Sequence, residues 1–426
     1  ADQRIQEISS WHGMRDKTYR KPDPLQILVS GLTYDIGRWS SIDSRSTVKL
    51  TNSAFSDDPI FAVFRFVDFA FIVQIVFSLF AILFTFDAVN GERENGTLRL
   101  VFSNAVPRAK YIIGKCIGSW LGLVVPICIP IVLSLLMINL FAVPMTTGDW
   151  GRVALLVALS LLYVTLFVVM GVFVSSLTKR SSVSFLLSLV VWVLLVLVIP
   201  RGGVLAAGQL ASVPRLAEIE GLRDGHAKNL WSQYHKEMEE RFLARYDAGE
   251  ERDDDDMWAE MKFEDSARKD VQIQIEAYEA RLMEDWDRRK ATQQRLALTL
   301  SRFSPAAAYQ LAAQTLAGTD LSLKSRNEEA MRTYRKEFNQ YVDKSQAEGG
   351  NVGGIQISIG GEEGMKITSS RDNAGLDIDD RPRYTPPQQQ LAAVIQPAVT
   401  DFGLLAFGTI LLFAGAFVSF LRYDLR

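Results

Sequence analysis

Cysteine is nearly absent, with two residues in 426, Cys116 and Cys128, both inside one apolar stretch. At helical rise they stand roughly 18 Å apart, beyond the reach of a disulfide. The long polar interval has none, so an oxidising compartment is permitted but not indicated. The pattern GxxxxGK[ST] is missing as well, since Gly114-Lys115-Cys116 lacks both the upstream glycine and the hydroxyl. That excludes nucleotide hydrolysis by a phosphate-binding loop. Histidine is scarce, and His12, His226 and His235 show no metal-binding spacing, so packed or solvated roles outweigh ligation. No GxSxG nucleophile elbow occurs. The sequence thus offers no catalytic residue, metal ligand or cofactor site. A formal net charge of −3 gives no global attraction to nucleic acid.

Long hydrophobic runs are what the chain does have. Its 48% hydrophobic and 22% charged residues look like a soluble average, but they segregate into blocks. A membrane-spanning helix needs about 20 mostly apolar residues. Five stretches qualify: 69–86, 112–141, 153–177, 183–200 and 402–421. Each is apolar all round, whereas a soluble core helix would show two faces.

Lysine and arginine orient the chain. Arg93, Arg99, Arg108, Lys110 and Lys115 follow the first stretch, Lys179 and Arg180 the third, and Arg422 and Arg426 the last. Strict alternation places all three groups on one side, the cytoplasmic one. Residues 1–60 and 201–398 then face outward, flanking the spans of 61–200 and preceding the last span and tail, 399–426. An outward N-terminal segment without a leader calls for one more spanning helix upstream of Ala1, giving six spans. A cleaved leader is the alternative, and it leaves five.

The outer interval reads as helical. Leu216, Ile219, His226, Leu230, Tyr234, Met238 and Phe242 recur as an apolar stripe, and Ile275, Tyr278, Leu282 and Trp286 form a second. An acidic turn between them predicts an antiparallel helical hairpin. The four aspartates 253–256 lack the spacing that wraps a calcium ion and suit a solvated hairpin tip. "SPAAAYQLAAQTLAGT" has Ser304 as a cap, Pro305 at the first helical position and Gly318 as the stop. Another helix runs to about Ala347. "IQISIGGEEGMKITS" alternates about a glycine turn, a small β-hairpin, and "DDRPRYTPP" is a linker. The expected fold is an all-α polytopic membrane protein with a large, mainly helical extracytoplasmic domain carrying that hairpin.

Ionisable residues are missing from the middle of the last four apolar stretches, which argues against a proton relay. Arg65 and Asp68 stand at the mouth of the first and are spaced to pair on a helix. In the second stretch Gly114, Gly118, Gly122, Pro126 and Pro130 fall at every fourth residue. Such glycines allow close helix approach, and such prolines permit a bend. Ordinary packing inside one bundle is the plainer reading, and a helix that bends during a cycle is the sharper one.

The connector 87–111 lies between the first two spans. Gly91 and Gly96 bracket Glu92, Arg93 and Glu94, and "TLRLVFSN" puts Leu98, Val101 and Phe102 on one face with Arg99 on another, a short surface helix. A plain interfacial connector would also carry the basic residues. Glu92 and Glu94 do not suit a lipid anchor and fit a protein partner with basic groups.

"GERENGTLRLVFSNAVPRAKYIIGK" resembles the signature of type-2 ABC-transporter permeases: a glutamate-rich turn, Gly-Thr-Leu, then Pro-Arg and Gly-Lys entering the next helix. It looks most like the branch labelled multicopper-enzyme-maturation permeases. "SRFSPAAAYQLAAQTLAGT" and the ending "FVSFLRYDLR" agree. The resemblance implies six spans per permease, a second permease, identical or paralogous, and two ABC ATPase subunits that hold ATP and magnesium. It assigns ATPase docking to Glu92, Arg93, Glu94, Gly96, Thr97, Leu98 and Arg108. The expected protein is the export permease of a bacterial inner (plasma) membrane, without enzymatic activity of its own and without nucleic acid. A second expectation is a mechanical transducer, whose ATPase stroke moves the outer domain against an envelope partner. A large outer domain favours that reading; it exceeds the compact members of the family, so the resemblance carries no substrate.

Overall fold

A computed structural model describes residues 15–43, 48–57, 67–104, 106–248, 254–349, 355–359, 365–369, 380–387 and 389–422. His12, Arg65, Asp253 and Arg426, named above, lie outside them. The chain falls into two compact units: Ala1–Val196 with Pro305–Arg426, and Leu197–Ser304.

The described chain is mostly helical, with two small two-stranded sheets. Four of its helices are long and apolar enough to cross a membrane: α4 (Arg108–Leu140), α5 (Thr147–Leu177), α6 (Ser181–Leu210) and α11 (Leu391–Leu421). The first apolar stretch forms a shorter helix, α1 (Phe69–Leu83), whose middle, Ile72–Phe77, is wound as a π-helix. Between α1 and α4 lie α2 (Asn90–Glu94) and α3 (Thr97–Ser103).

The first unit is organised around α5. Thr146 starts it with a capping box, accepting from the Asp149 N–H at 3.3 Å while the Asp149 carboxylate accepts from the Thr146 N–H at 2.9 Å. Leu156, Leu159, Tyr163 and Phe167 along it are fully buried. Helices α1, α4, α6 and α11 pack around α5. One glycine makes the tightest approach: a Cβ on Gly171 would stand 1.9 Å from Thr85 Oγ1. Only a residue without a side chain fits there.

The helix α9 (Pro305–Ala317) starts at its proline and stops at Gly318, whose φ of 72° is the left-handed stop the sequence predicts. It belongs to the first unit, with α5 and α11. Ala306, Ala308, Ala312 and Ala313 are buried, and α9 packs on α5 and α11. Tyr309 stacks on Tyr163 at 4.6 Å and shares a hydrogen bond with Ser160 at 3.1 Å. Small side chains permit that approach, and their periodicity says only that one face is buried, not against what.

The next helix, α10 (Ser322–Gly349), covers a sheet absent from the sequence reading. Strands β1 (Asp16–Tyr19) and β2 (Trp39–Ile42) pair antiparallel, with Asp16 opposite Ile42. Ile42 and Val48 pack with Met331, Tyr334, Phe338 and Val342 of α10. Tyr334 donates to Asp16 at 2.5 Å, and burial followed by that carboxylate raises its pKa. The expected hairpin is present as β3 (Ile355–Ile359) and β4 (Met365–Ser369), with Ile357 opposite Ile367.

The second unit holds the end of α6 from Leu197 and two long helices, α7 (Leu216–Ala248) and α8 (Asp254–Ser301). Tyr234 packs against Val271 and Ile275, and His226 lies 4.0 Å from the Tyr278 ring, centroid to centroid. The α7 stripe is buried only in part, for Leu216 and Phe242 at its ends are exposed. A hairpin of two helices has one seam, and its outer residues have nothing to cover them. The described aspartates 254–256 open α8.

Two features differ from the sequence reading of the spans. Helix α11 begins eleven residues before the apolar stretch, so Asp401 falls within it and is only 1% exposed. An apolar window marks the greasy part of a helix and misses its polar turns. In α4, Gly114, Gly118, Gly122, Pro126 and Pro130 are all exposed, and among the described residues no other element comes within 4 Å of a Cβ at any of the three glycines. Among the described residues of the single chain that face is open.

Candidate functional site: the connector

The connector is built on a buried polar knot. Asn90 is fully buried at the start of α2. Its side-chain amide donates to Thr178 Oγ1 at 2.9 Å, and its carbonyl oxygen accepts from Ser175 Oγ at 3.1 Å and Ser181 Oγ at 3.3 Å. Ser175 Oγ in turn accepts from the Val89 N–H at 3.1 Å. The chain leaving α1 is thereby fastened to the end of α5 and the start of α6. Buried amides and hydroxyls hold position firmly because leaving one unpaired is costly.

The acidic residues come next. Glu92 accepts from the Tyr111 hydroxyl at 2.6 Å and forms an ion pair with Lys115. Tyr111 and Lys115 are four apart on α4, so one carboxylate meets both from the same face. Glu94 accepts from the Ser181 N–H at 3.1 Å and its Oγ at 2.6 Å, covering the N-terminus of α6. Those two hydrogen bonds hold its carboxyl below the ordinary glutamate range, with Arg180 adding a smaller pull. Both glutamates thus tie the connector to its own bundle.

Gly96 has a φ of 73° and turns the chain into α3. Leu98 is only 3% exposed, in a cluster with Val89, Tyr111, Ile112, Val172 and Phe420. Phe102 joins that cluster, with its ring 5.5 Å from Tyr111, which stacks on Phe420 at 5.1 Å. The apolar face of α3 therefore covers the bundle. Arg108 donates to the Leu421 carbonyl oxygen at 2.6 Å, at the end of α11. Of the seven residues named from the sequence, Leu98 is core. Glu92 and Arg108 are held internally, and Arg93 is half-buried. Glu94, Gly96 and Thr97 remain exposed, together with Arg99 and Leu100, which the sequence reading did not select.

Leu100 is 67% exposed on the outer face of α3. A large apolar side chain held in the open, beside Arg99, suits protein contact better than solvent. Ser175, Thr178 and Ser181 were legible only as a small-polar run at helix ends, "SSLTKRSS", read for its charge alone, and Asn90 carried no signal of its own. Contacts from the connector to Ser181 and Leu421 also bring the three basic segments to one end of the bundle.

The family model described as ABC-2 family transporter protein matches residues 3–425. The chain belongs to that family. It is a membrane subunit, a permease, of an ABC transporter, and works with an ABC ATPase in a membrane. No curated protein matches the permease closely.

Proposed function

We propose that this permease couples ATP hydrolysis in partner ATPases to export or extrusion, with the connector as the place where the ATPase stroke enters. The observation that supports this is the set of contacts that α2 and α3 make: Asn90 to α5, Glu94 to α6, Glu92 to α4, and Leu98 and Phe102 to Phe420 of α11. A displacement of α2 and α3 acts on four spans together. Docking falls on the exposed face, Thr97, Arg99 and Leu100, with Glu92 and Arg108 as positioning residues behind it.

In this reading two ATPases carry the ATP and magnesium, and a second permease completes the pathway. The open face of α4 bearing Gly114, Gly118 and Gly122 is available to that second copy. The membrane is a bacterial inner membrane, and the unit Leu197–Ser304 lies outside the cytoplasm. Within the family, the signature from Glu92 to Lys115 supports assignment to the branch of multicopper-enzyme-maturation permeases.

The test is ATPase recovery with the purified permease at equal membrane levels. Arg99→Glu/Leu100→Glu, on exposed positions, should insert normally and lose most of the bound ATPase. Undiminished recovery would remove docking from this face.

A further inference from the structure

At the end of α5 away from the connector lies a cavity of about 180 Å³, enough for several waters. Arg152 in its wall and Ser175 in the polar knot are separated by roughly 35 Å at helical rise, about the thickness of a bilayer's hydrocarbon core. The cavity is not part of the connector or its contacts.

Its lining is cationic and incompletely paired. Arg152 is 3% exposed and forms ion pairs with Asp149 and with Asp23, the latter at 3.2 Å, yet its buried Nε has no hydrogen-bond partner. Thr319, 1% exposed, lines the same cavity, and its hydroxyl also has none. Buried polar atoms are rarely left so, and both of these belong to residues of one cavity wall. Arg326 reaches Asp320 at 3.2 Å. Arg20 donates to the Thr33 carbonyl at 2.7 Å and, like exposed Lys21, meets no carboxylate among the described residues. Burial, and then the neighbouring Arg38, lower the Arg20 pKa, the mark of a cation short of counter-charge. The capped N-terminus of α5 adds its positive dipole end.

We propose that this cavity binds a phosphoryl group, held by Arg20, Lys21 and the free Nε of Arg152, with Thr319 as a hydroxyl partner. Guanidinium forks match phosphoryl oxygens in geometry and charge. The group comes from a soluble phosphate compound or from a phospholipid headgroup at the membrane edge. Binding at this end of α5 stands independently of ATPase docking at the other.

The purified full-length permease serves for the test, without ATPase, so that failure here leaves the docking reading untouched. Thermal midpoints are followed against inorganic phosphate and against a short-chain phosphatidic acid, with sodium chloride at matched ionic strength. A saturable rise with either ligand is expected, and Arg20→Gln/Lys21→Gln should need about tenfold more ligand for the same rise. A response to phosphatidic acid alone assigns the headgroup; a response to both assigns a free phosphoryl group. Lys21→Gln alone, at an exposed position that cannot upset folding, should show a smaller weakening and decides the matter if the double variant misfolds. No saturable rise with either ligand, or an unchanged response in the folded variants, overturns the site.

Discussion

The guanidinium of Arg108 donates to the carbonyl oxygen of Leu421 at 2.6 Å, joining the first residue of α4 to the last of α11. The two residues stand 313 positions apart in the sequence. A cation at a helix C-terminus satisfies an orphan carbonyl and opposes the negative end of the dipole. Arg108→Ala should lower the thermal midpoint of the isolated permease by an amount corresponding to about 1 kcal/mol. Arg108→Lys should recover part of it. An unaltered midpoint in the alanine variant would show that the contact does not hold the two helices.

Glu92 provides a separation of positioning from docking. Because its carboxylate sits between Tyr111 and Lys115, Glu92→Lys places a second ammonium beside Lys115 and removes the acceptor of Tyr111. The midpoint of the permease alone should fall, and Glu92→Gln should fall less. A residue that faced only the ATPase would leave the midpoint of the isolated permease unmoved.

Gly171 is the tightest point between α5 and the chain leaving α1. Gly171→Ala drives a methyl into Thr85 Oγ1 and should cost about 1–3 kcal/mol. Thr85→Ala in the same chain removes the oxygen and should restore part of that loss, a coupling that a double-mutant cycle on the thermal midpoints detects. Additive losses would mean that the two residues do not meet.

The pKa of Glu94 is depressed by its hydrogen bonds to Ser181. A carboxylate depressed in the fold contributes stability above its unfolded pKa and loses it as pH falls through the folded one. The midpoint advantage of wild type over Glu94→Gln should be present at neutral pH and vanish below the ordinary glutamate range, near 4.3. A constant difference down to strongly acid pH would contradict the Ser181 contact.

Sidedness is checked at Ser266, exposed on α8. In a Cys128→Ser background, Ser266→Cys should react with an impermeant thiol reagent in intact cells. Reaction only after lysis would place the second unit in the cytoplasm.

The sequence by itself determined the apolar helices, α9 and one hairpin, because each is set by local chemistry, while the β1–β2 sheet left no such mark. Continuous apolar runs marked the spans, Pro305 and Gly318 bounded α9, and alternation about a glycine turn marked the β3–β4 hairpin. The connector was also legible as the segment of interest, since glycine, charge and one apolar face are packed into a few residues. Only the tertiary structure decided what those residues touch. Leu98 is core while Leu100, two residues on, is exposed, because α3 lies on Tyr111 and Phe420, residues about ten and over three hundred positions away. Glu92 and Glu94 look alike in sequence, yet one meets α4 and the other α6. The cavity at the far end of α5 was invisible for the same reason: Arg20, Arg152 and Thr319 come from three distant segments, and no periodicity within any one of them records the other two.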